Sequence, residues 1–321
     1  VVWVAAAAAL AAAAFLPLPY YSVGPGPVRE VTPLITYEGM ERYEPSGRIV
    51  LTTVRLYRAS PLQAVRTWLD ADRVLVPDEE VYPEGTTEER EQERAISQMD
   101  QSKIDATYVV LRELTAYPRD HGEGALIEST LEECPADGVL YPGDVVLEIG
   151  GEPVGSRKEA SRLIDAAAPG ERLRFLVEVD GQTEEVSFIK ERCAEDEDRE
   201  LVGVRLLSSF PLEVAIASDE VGGSSAGLMW AIGLYDLMTP EDLTEGRLVA
   251  GTGTIAINGD VYPIGGIRDK VVAAREAGAA IFFLPEENLA ELGDVDTGQM
   301  QLVPVSTFDE ALEALRAGTR A

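Results

Sequence analysis

Apolar positions along the 321 residues change period several times, and each change marks an element. The first sixteen residues, Val1 to Leu16, are uninterruptedly apolar and rich in alanine; Pro17, Pro19 and the run Gly24-Pro25-Gly26-Pro27 then read as a linker that no helix crosses. Arg48 to Tyr57 has the β-branched alternation of a strand, and Pro61 to Leu69 reads as a short helix. Residues 76 to 92 are polar and proline-punctuated, hence a loop. From Glu93 to Leu114 the apolar residues Ile96, Met99, Ile104, Ala106, Val109, Val110 and Leu114 recur at mostly helical spacing, predicting a long amphipathic helix.

The pattern shifts again at Gly124. Short alternating strands up to Lys190 surround one helix at Ser156 to Ala168, which predicts a small, mostly β module. An acidic run from Glu195 to Glu200 reads as the linker that closes it. Beyond it, strands and helices alternate: PLEVAIAS, a helix from Ser225, the segment VAGTGTIAINGDVYPI with a type I′ hairpin expected at Asn258-Gly259, a helix from Ile267, AIFFLP, a helix over 286 to 292, QLVPVS and a last helix opened by the capping box Thr307 to Glu310. Alternation of this kind predicts a sheet covered by helices.

Composition narrows the function. A formal charge of −30 argues against a nucleic-acid partner. The single histidine, His121, and two widely spaced cysteines, Cys134 and Cys193, give no metal-ligand spacing and imply no cofactor, while leaving a disulfide open. The apolar start has two readings. A span whose flank lies upstream would reach the ~17 to 25 residues a bilayer requires, and a signal-peptide core would look similar. The anchor is favoured, and both place the remainder outside the cytoplasm.

The stretch most suggestive of chemistry is Ser218 to Met229, SDEVGGSSAGLM. Two glycines permit a sharp turn, and a small-residue helix begins near Ser225, where free amides and the helix dipole favour negative charge. A plain helix cap would look alike. A nucleophilic serine also needs a base, and His121 lies in a Pro/Gly-bounded loop. Lysine can substitute, whereas arginine does not release its proton. Lys270 is the only lysine after position 190 in a chain whose other basic residues are mostly arginine. Packed against apolar elements, its amine would lose hydration and be neutral near pH 7.

Gly223-Ser224-Ser225-Ala226-Gly227 resembles the nucleophile motif of Lon-type serine proteases, and Pro263-Ile264-Gly265-Gly266-Ile267-Arg268-Asp269-Lys270 resembles their lysine motif, 45 residues from one residue of the pair to the other. The resemblance implies Ser225 as nucleophile and Lys270 as base, supported by Gly223, Ala226 and Thr252. It departs at Ser224, where the family usually has proline, which offers a second hydroxyl. Gly138 to Leu147 with Gly150-Gly151 resembles a PDZ domain, which implies binding of an extended peptide by strand addition along Gly122 to Ser129, with Gly122, Gly124, Ala125, Leu126 and Ile127 as the peptide-binding residues. No GxxxxGK[ST] phosphate loop occurs in these residues, so ATP-driven unfolding is not expected of them.

Together these readings give an α/β (α+β) Lon-type proteolytic domain interrupted by a PDZ-like domain, with an N-terminal transmembrane segment. The expected division is 1–18 for the transmembrane anchor or signal segment, 36–115 and 199–321 for the two parts of the proteolytic domain, and 116–192 for the PDZ-like domain. The implied function is ATP-independent endopeptidase cleavage of extracytoplasmic polypeptides, in a chain that the resemblance suggests forms a homo-oligomer. The alternative is a membrane-anchored peptide-binding adaptor whose protease fold is inactive.

Overall fold

A computed structural model describes residues 14–318 except 71, 83–84, 169, 194–195 and 219–220. Residues 1–13, most of the expected membrane segment, lie outside the described residues, and among those described no helix is long and apolar enough to cross a membrane.

The Gly/Pro stretch expected as a linker is instead part of a strand. β1 (Tyr20–Glu30) pairs antiparallel with β2 (Arg48–Arg58), with a register shift between Pro25 and Val28. The bulge accommodates prolines that have no N–H to donate to a regular ladder. Gly26 sits where a Cβ would come within 2.4 Å of Thr53 Oγ1, so its bareness serves close approach of two backbones. The short helix α1 (Pro61–Leu69) is opened by a capping box between Ser60 and Gln63. The edge strand β3 (Val74–Pro77) and the one-turn helix Asp78–Val81 occupy part of the expected 76–92 loop. The long helix α2 runs Glu88–Leu114, five residues longer at its start than its apolar pattern indicates. Its first turns need no core: Thr87 accepts the Arg90 amide, and Glu88, Glu89 and Glu91 complement the positive end of the helix dipole.

The β module begins with β4 (Ala125–Thr130) and β5 (Val145–Ile149), continues through α3 (Arg157–Ala166) to β6 (Arg172–Val179) and β7 (Gln182–Ile189), and ends with β8 (Val204–Ser208). Sheet order is β8-β4-β5-β6-β7. The last strand lies beyond the acidic run expected to end the module: Asp196–Leu201 folds back on Glu191–Cys193 as a small hairpin, and β8 returns to pair with β4. A Cys134–Cys193 disulfide, with Cα atoms 5.3 Å apart, ties this return to the loop after β4.

The chain then re-enters the larger domain. Helix α4 (Gly227–Met238) is buried at every residue and forms the centre of the main core with α2. Strand β9 (Leu248–Gly251), helix α5 (Ile267–Glu276), β10 (Ile281–Pro285), β11 (Gln301–Val305) and α6 (Phe308–Gly318) complete it. The main sheet runs β11-β10-β9-β2-β1-β3, parallel from β11 to β2 and antiparallel beyond. Of the expected hairpin, Leu248–Gly251 joins this sheet, and only Thr254–Ile255 and Val261–Tyr262 pair with each other. The turn is not type I′, because Gly259 has positive φ and Asn258 does not. Arg112 of α2 donates to the Ile257 and Asn258 carbonyls and so fixes the loop from outside.

The two folded units meet on a small apolar patch of Ile104, Leu126 and Leu207, with Tyr108, Val145, Phe210 and Ile257 around it. Tyr117 Oη donates to the Ser208 carbonyl at 2.7 Å across the same boundary.

Candidate active site

Ser225 lies in a 3₁₀ turn, Ser224–Ala226, that leads into α4. Gly223 before it has φ of 88°, a conformation that costs a residue with Cβ, and its amide donates to Ala95 O of α2. The turn is pinned from the other side by the loop after β9. The Gly253 amide donates to Ser225 O at 2.8 Å, Thr252 Oγ1 donates to the same carbonyl at 2.9 Å, and the Leu228 amide donates to Gly253 O. Ala226 is buried against the core.

Lys270 stands in the first turn of α5, whose N-terminal Gly266 is left-handed and has no room for a Cβ beside Val54. Its Nζ reaches 2.8 Å from Ser225 Oγ and 3.1 Å from Thr252 Oγ1. The side chain is buried, and loss of hydration lowers its pKa from 10.5 to about 8. Thr252 is buried too, its amide held by Phe283 O, so its hydroxyl can accept from the amine while donating to the Ser225 carbonyl.

Ser224, the residue in place of the family proline, is turned away. Its Oγ lies 2.9 Å from Thr254 Oγ1, and its carbonyl accepts from Ser102 Oγ of α2 at 2.9 Å. These bonds hold the turn that a proline ring would otherwise stiffen. Ser102 and Thr254 were not singled out from sequence; Thr254 lies beside Thr252, whereas nothing local marks Ser102, which sits 122 residues from its partner. His121 Nδ1 contacts the neighbouring Gly122 carbonyl in an exposed loop.

Beside the pair is a cavity of about 400 Å³. Leu51, Val54 and Met99 give it apolar walls, Arg29 and Thr52 add polar groups, and Ser225 and Lys270 border it.

The expected peptide-binding strand requires correction. Ala125, Leu126 and Ile127 are hydrogen-bonded on both sides, to β8 and to β5 or the Asp144 carbonyl before it. The Gly122 amide donates to Ser209 O, and Gly124 O accepts the Ser209 amide. An added strand has no free edge there. The outer strand on this side of the sheet is β8, with α3 packed near it. The alternation in Val204-Arg205-Leu206-Leu207 is visible in sequence, but the acidic run before it read as a domain end.

A serine hydroxyl against a buried amine, at the start of a buried helix in an α/β domain, is the arrangement of Ser–Lys hydrolases. Residues 213–317 match the family described as Lon protease (S16) C-terminal proteolytic domain, and residues 126–179 match the PDZ domain family. The C-terminal part of this chain is thus similar to the proteolytic domain of Lon-type serine endopeptidases, and the segment before it to a PDZ domain. Among curated relatives, the chain is 31% identical over 188 residues to a Lon protease of Methanosphaera stadtmanae, covering 56% of this chain and 19% of the relative. It is 40% identical over 99 residues to Lon protease 1 of Herpetosiphon aurantiacus, covering 30% of this chain and 12% of the relative. The chain thus spans less than a fifth of these relatives' length. Among solved structures, the PDZ domain of an SdrC-like protein from Listeria innocua is 24% identical, with a TM-score of 0.24, covering 26% of this chain and 93% of that one.

Proposed function

We propose that the protein is a membrane-anchored serine endopeptidase that cleaves extracytoplasmic polypeptides without ATP, with Ser225 as nucleophile and Lys270 as general base. The observation that carries this reading is the 2.8 Å approach of Lys270 Nζ to Ser225 Oγ in a setting where desolvation favours the neutral amine. A neutral Lys270 takes the Ser225 proton as Oγ adds to the peptide carbonyl. The resulting ammonium passes that proton to the leaving amine, the C–N bond breaks, and an ester on Ser225 remains. Water then attacks the ester, again with Lys270 as base, and frees the acid. The Gly227 and Leu228 amides are engaged by Ser224 O and Gly253 O, so neither is free to face the oxyanion.

Two features support the wider setting. The apolar run Val1 to Leu16 suits an anchor. The Cys134–Cys193 disulfide suits an oxidising compartment. The PDZ domain would hold substrate along β8, and homo-oligomerisation accords with the Lon resemblance.

Hydrolysis of an unfolded protein without nucleotide tests this reading. Ser225→Ala and Lys270→Arg should each lower kcat/KM by about 10³-fold or more. A serine-directed fluorophosphonate should label Ser225. Peptide binding with neither labelling nor cleavage would point to the adaptor instead.

A further inference from the structure

Helix α1 is built inside out. Its inward face is polar: Thr67 is buried, its hydroxyl 2.7 Å from Ser22 Oγ of β1, and Gln63 bonds the capping Ser60. Leu62, Val65, Trp68 and Leu69 form its outer face, and Trp68 is 81% exposed. An amphipathic helix on a water-facing surface normally turns these residues inward, against a core. Here the hydroxyl pair and the capping box fix the opposite orientation.

The face is also placed where the apolar run ends. The Leu62 amide donates to Ala14 O, and Phe15 and Leu16 are 72% and 62% exposed next along the chain. Charge points the same way. The chain has 57 Asp and Glu residues, yet Pro61–Leu69 contains none and has one cation, Arg66. An apolar helix face with an exposed tryptophan, an arginine and no carboxylate of its own, its C-cap Asp70 being paired with Arg73, suits the boundary between acyl chains and headgroups.

We infer that α1, with Phe15 and Leu16, is an interfacial docking face that lies in the outer layer of the bilayer and seats the folded domains against it. This rests on the membrane reading of residues 1–16 and goes beyond it: the anchor tethers the chain, whereas α1 sets how the domains meet the lipid. Trp68 and Leu69 would enter the headgroup boundary while Ser60, Gln63 and Thr67 remain bonded to the protein.

Tryptophan emission tests it in the full chain. The tryptophans are Trp3, Trp68 and Trp230, and Trp230 is fully buried, so Trp3→Phe leaves Trp68 as the reporter able to respond to lipid. The Trp3→Phe chain is reconstituted into phosphatidylcholine vesicles with plain or brominated acyl chains and recovered by flotation. The expected result is blue-shifted Trp68 emission that the brominated lipid quenches, with the quenchable part absent in Trp3→Phe/Trp68→Phe. Flotation with red, unquenched Trp68 emission would overturn the docking face and leave the anchor standing. Blue-shifted emission that bromine does not quench, and that reddens as protein is diluted in lipid, would assign the face to a second copy of the chain. Failure to float would remove the anchor reading and this inference with it.

Discussion

The chemistry of Lys270 depends on the environment of one nitrogen. Burial disfavours its ammonium form, so the folded-state pKa is about 8 rather than 10.5. If the neutral amine is the working form, kcat/KM should rise as pH increases through about 8 and then level off. Between about 8 and 10.5 the unfolded chain holds more protons than the folded one, so stability rises with pH across that window. Below it, the fold bears the full cost of a buried cation. A flat rate profile from pH 7 to 9.5 would contradict the assignment. Thr252 contributes through position, since one hydroxyl faces both Lys270 Nζ and Ser225 O. Thr252→Val should lower kcat by about tenfold, the worth of one hydrogen bond of roughly 1 to 1.5 kcal/mol, with little change in KM. Thr252→Ser, which retains the hydroxyl, should restore most of it.

At the scale of elements, the sequence located the helix bearing Lys270 and, two residues early, the helix that follows Ser225, because small residues, glycines and apolar spacing are local signals. The partners of strands were harder to read. Tyr20–Glu30 looked like a linker because its Gly/Pro content is high, yet a bulge brings it into the main sheet. Val204–Ser208 looked like the start of another domain, yet it pairs back with Ala125–Thr130. Strand pairing depends on residues far apart in sequence, which local period does not report. This changes where peptide addition is expected. When an extended peptide binds, amide exchange should slow at 204–208, while 125–127, already bonded on both edges, should change little. New protection confined to 125–127 would favour the original placement.

At the scale of the molecule, the seam between the two folded units contains a titrating group. Asp105 of α2 is buried among the described residues, with Oδ1 lacking a hydrogen-bond partner, and its pKa is raised to about 8. Desolvation is the main cause; Glu128 of β4 adds to it and Arg205 of β8 opposes it. The folded chain therefore holds the extra proton between about pH 4 and 8, and stability falls as pH rises through that range. Asp105→Asn should stabilise the protein at pH 8 by on the order of 2 kcal/mol and flatten this dependence, as read by urea unfolding.

By itself, the sequence determined the residue types: a deprotonatable amine in an arginine-rich chain, a serine at a glycine turn, two cysteines and a long apolar start. Tertiary structure decided which of them meet. Ser225 rather than Ser224 faces Lys270 because Thr254 and Ser102 hold the neighbouring turn, and they arrive from a loop 30 residues after it and a helix 122 residues before it. The outer strand of the PDZ sheet and the outward apolar face of α1 were decided in the same way, by hydrogen bonds between distant segments that no local pattern encodes.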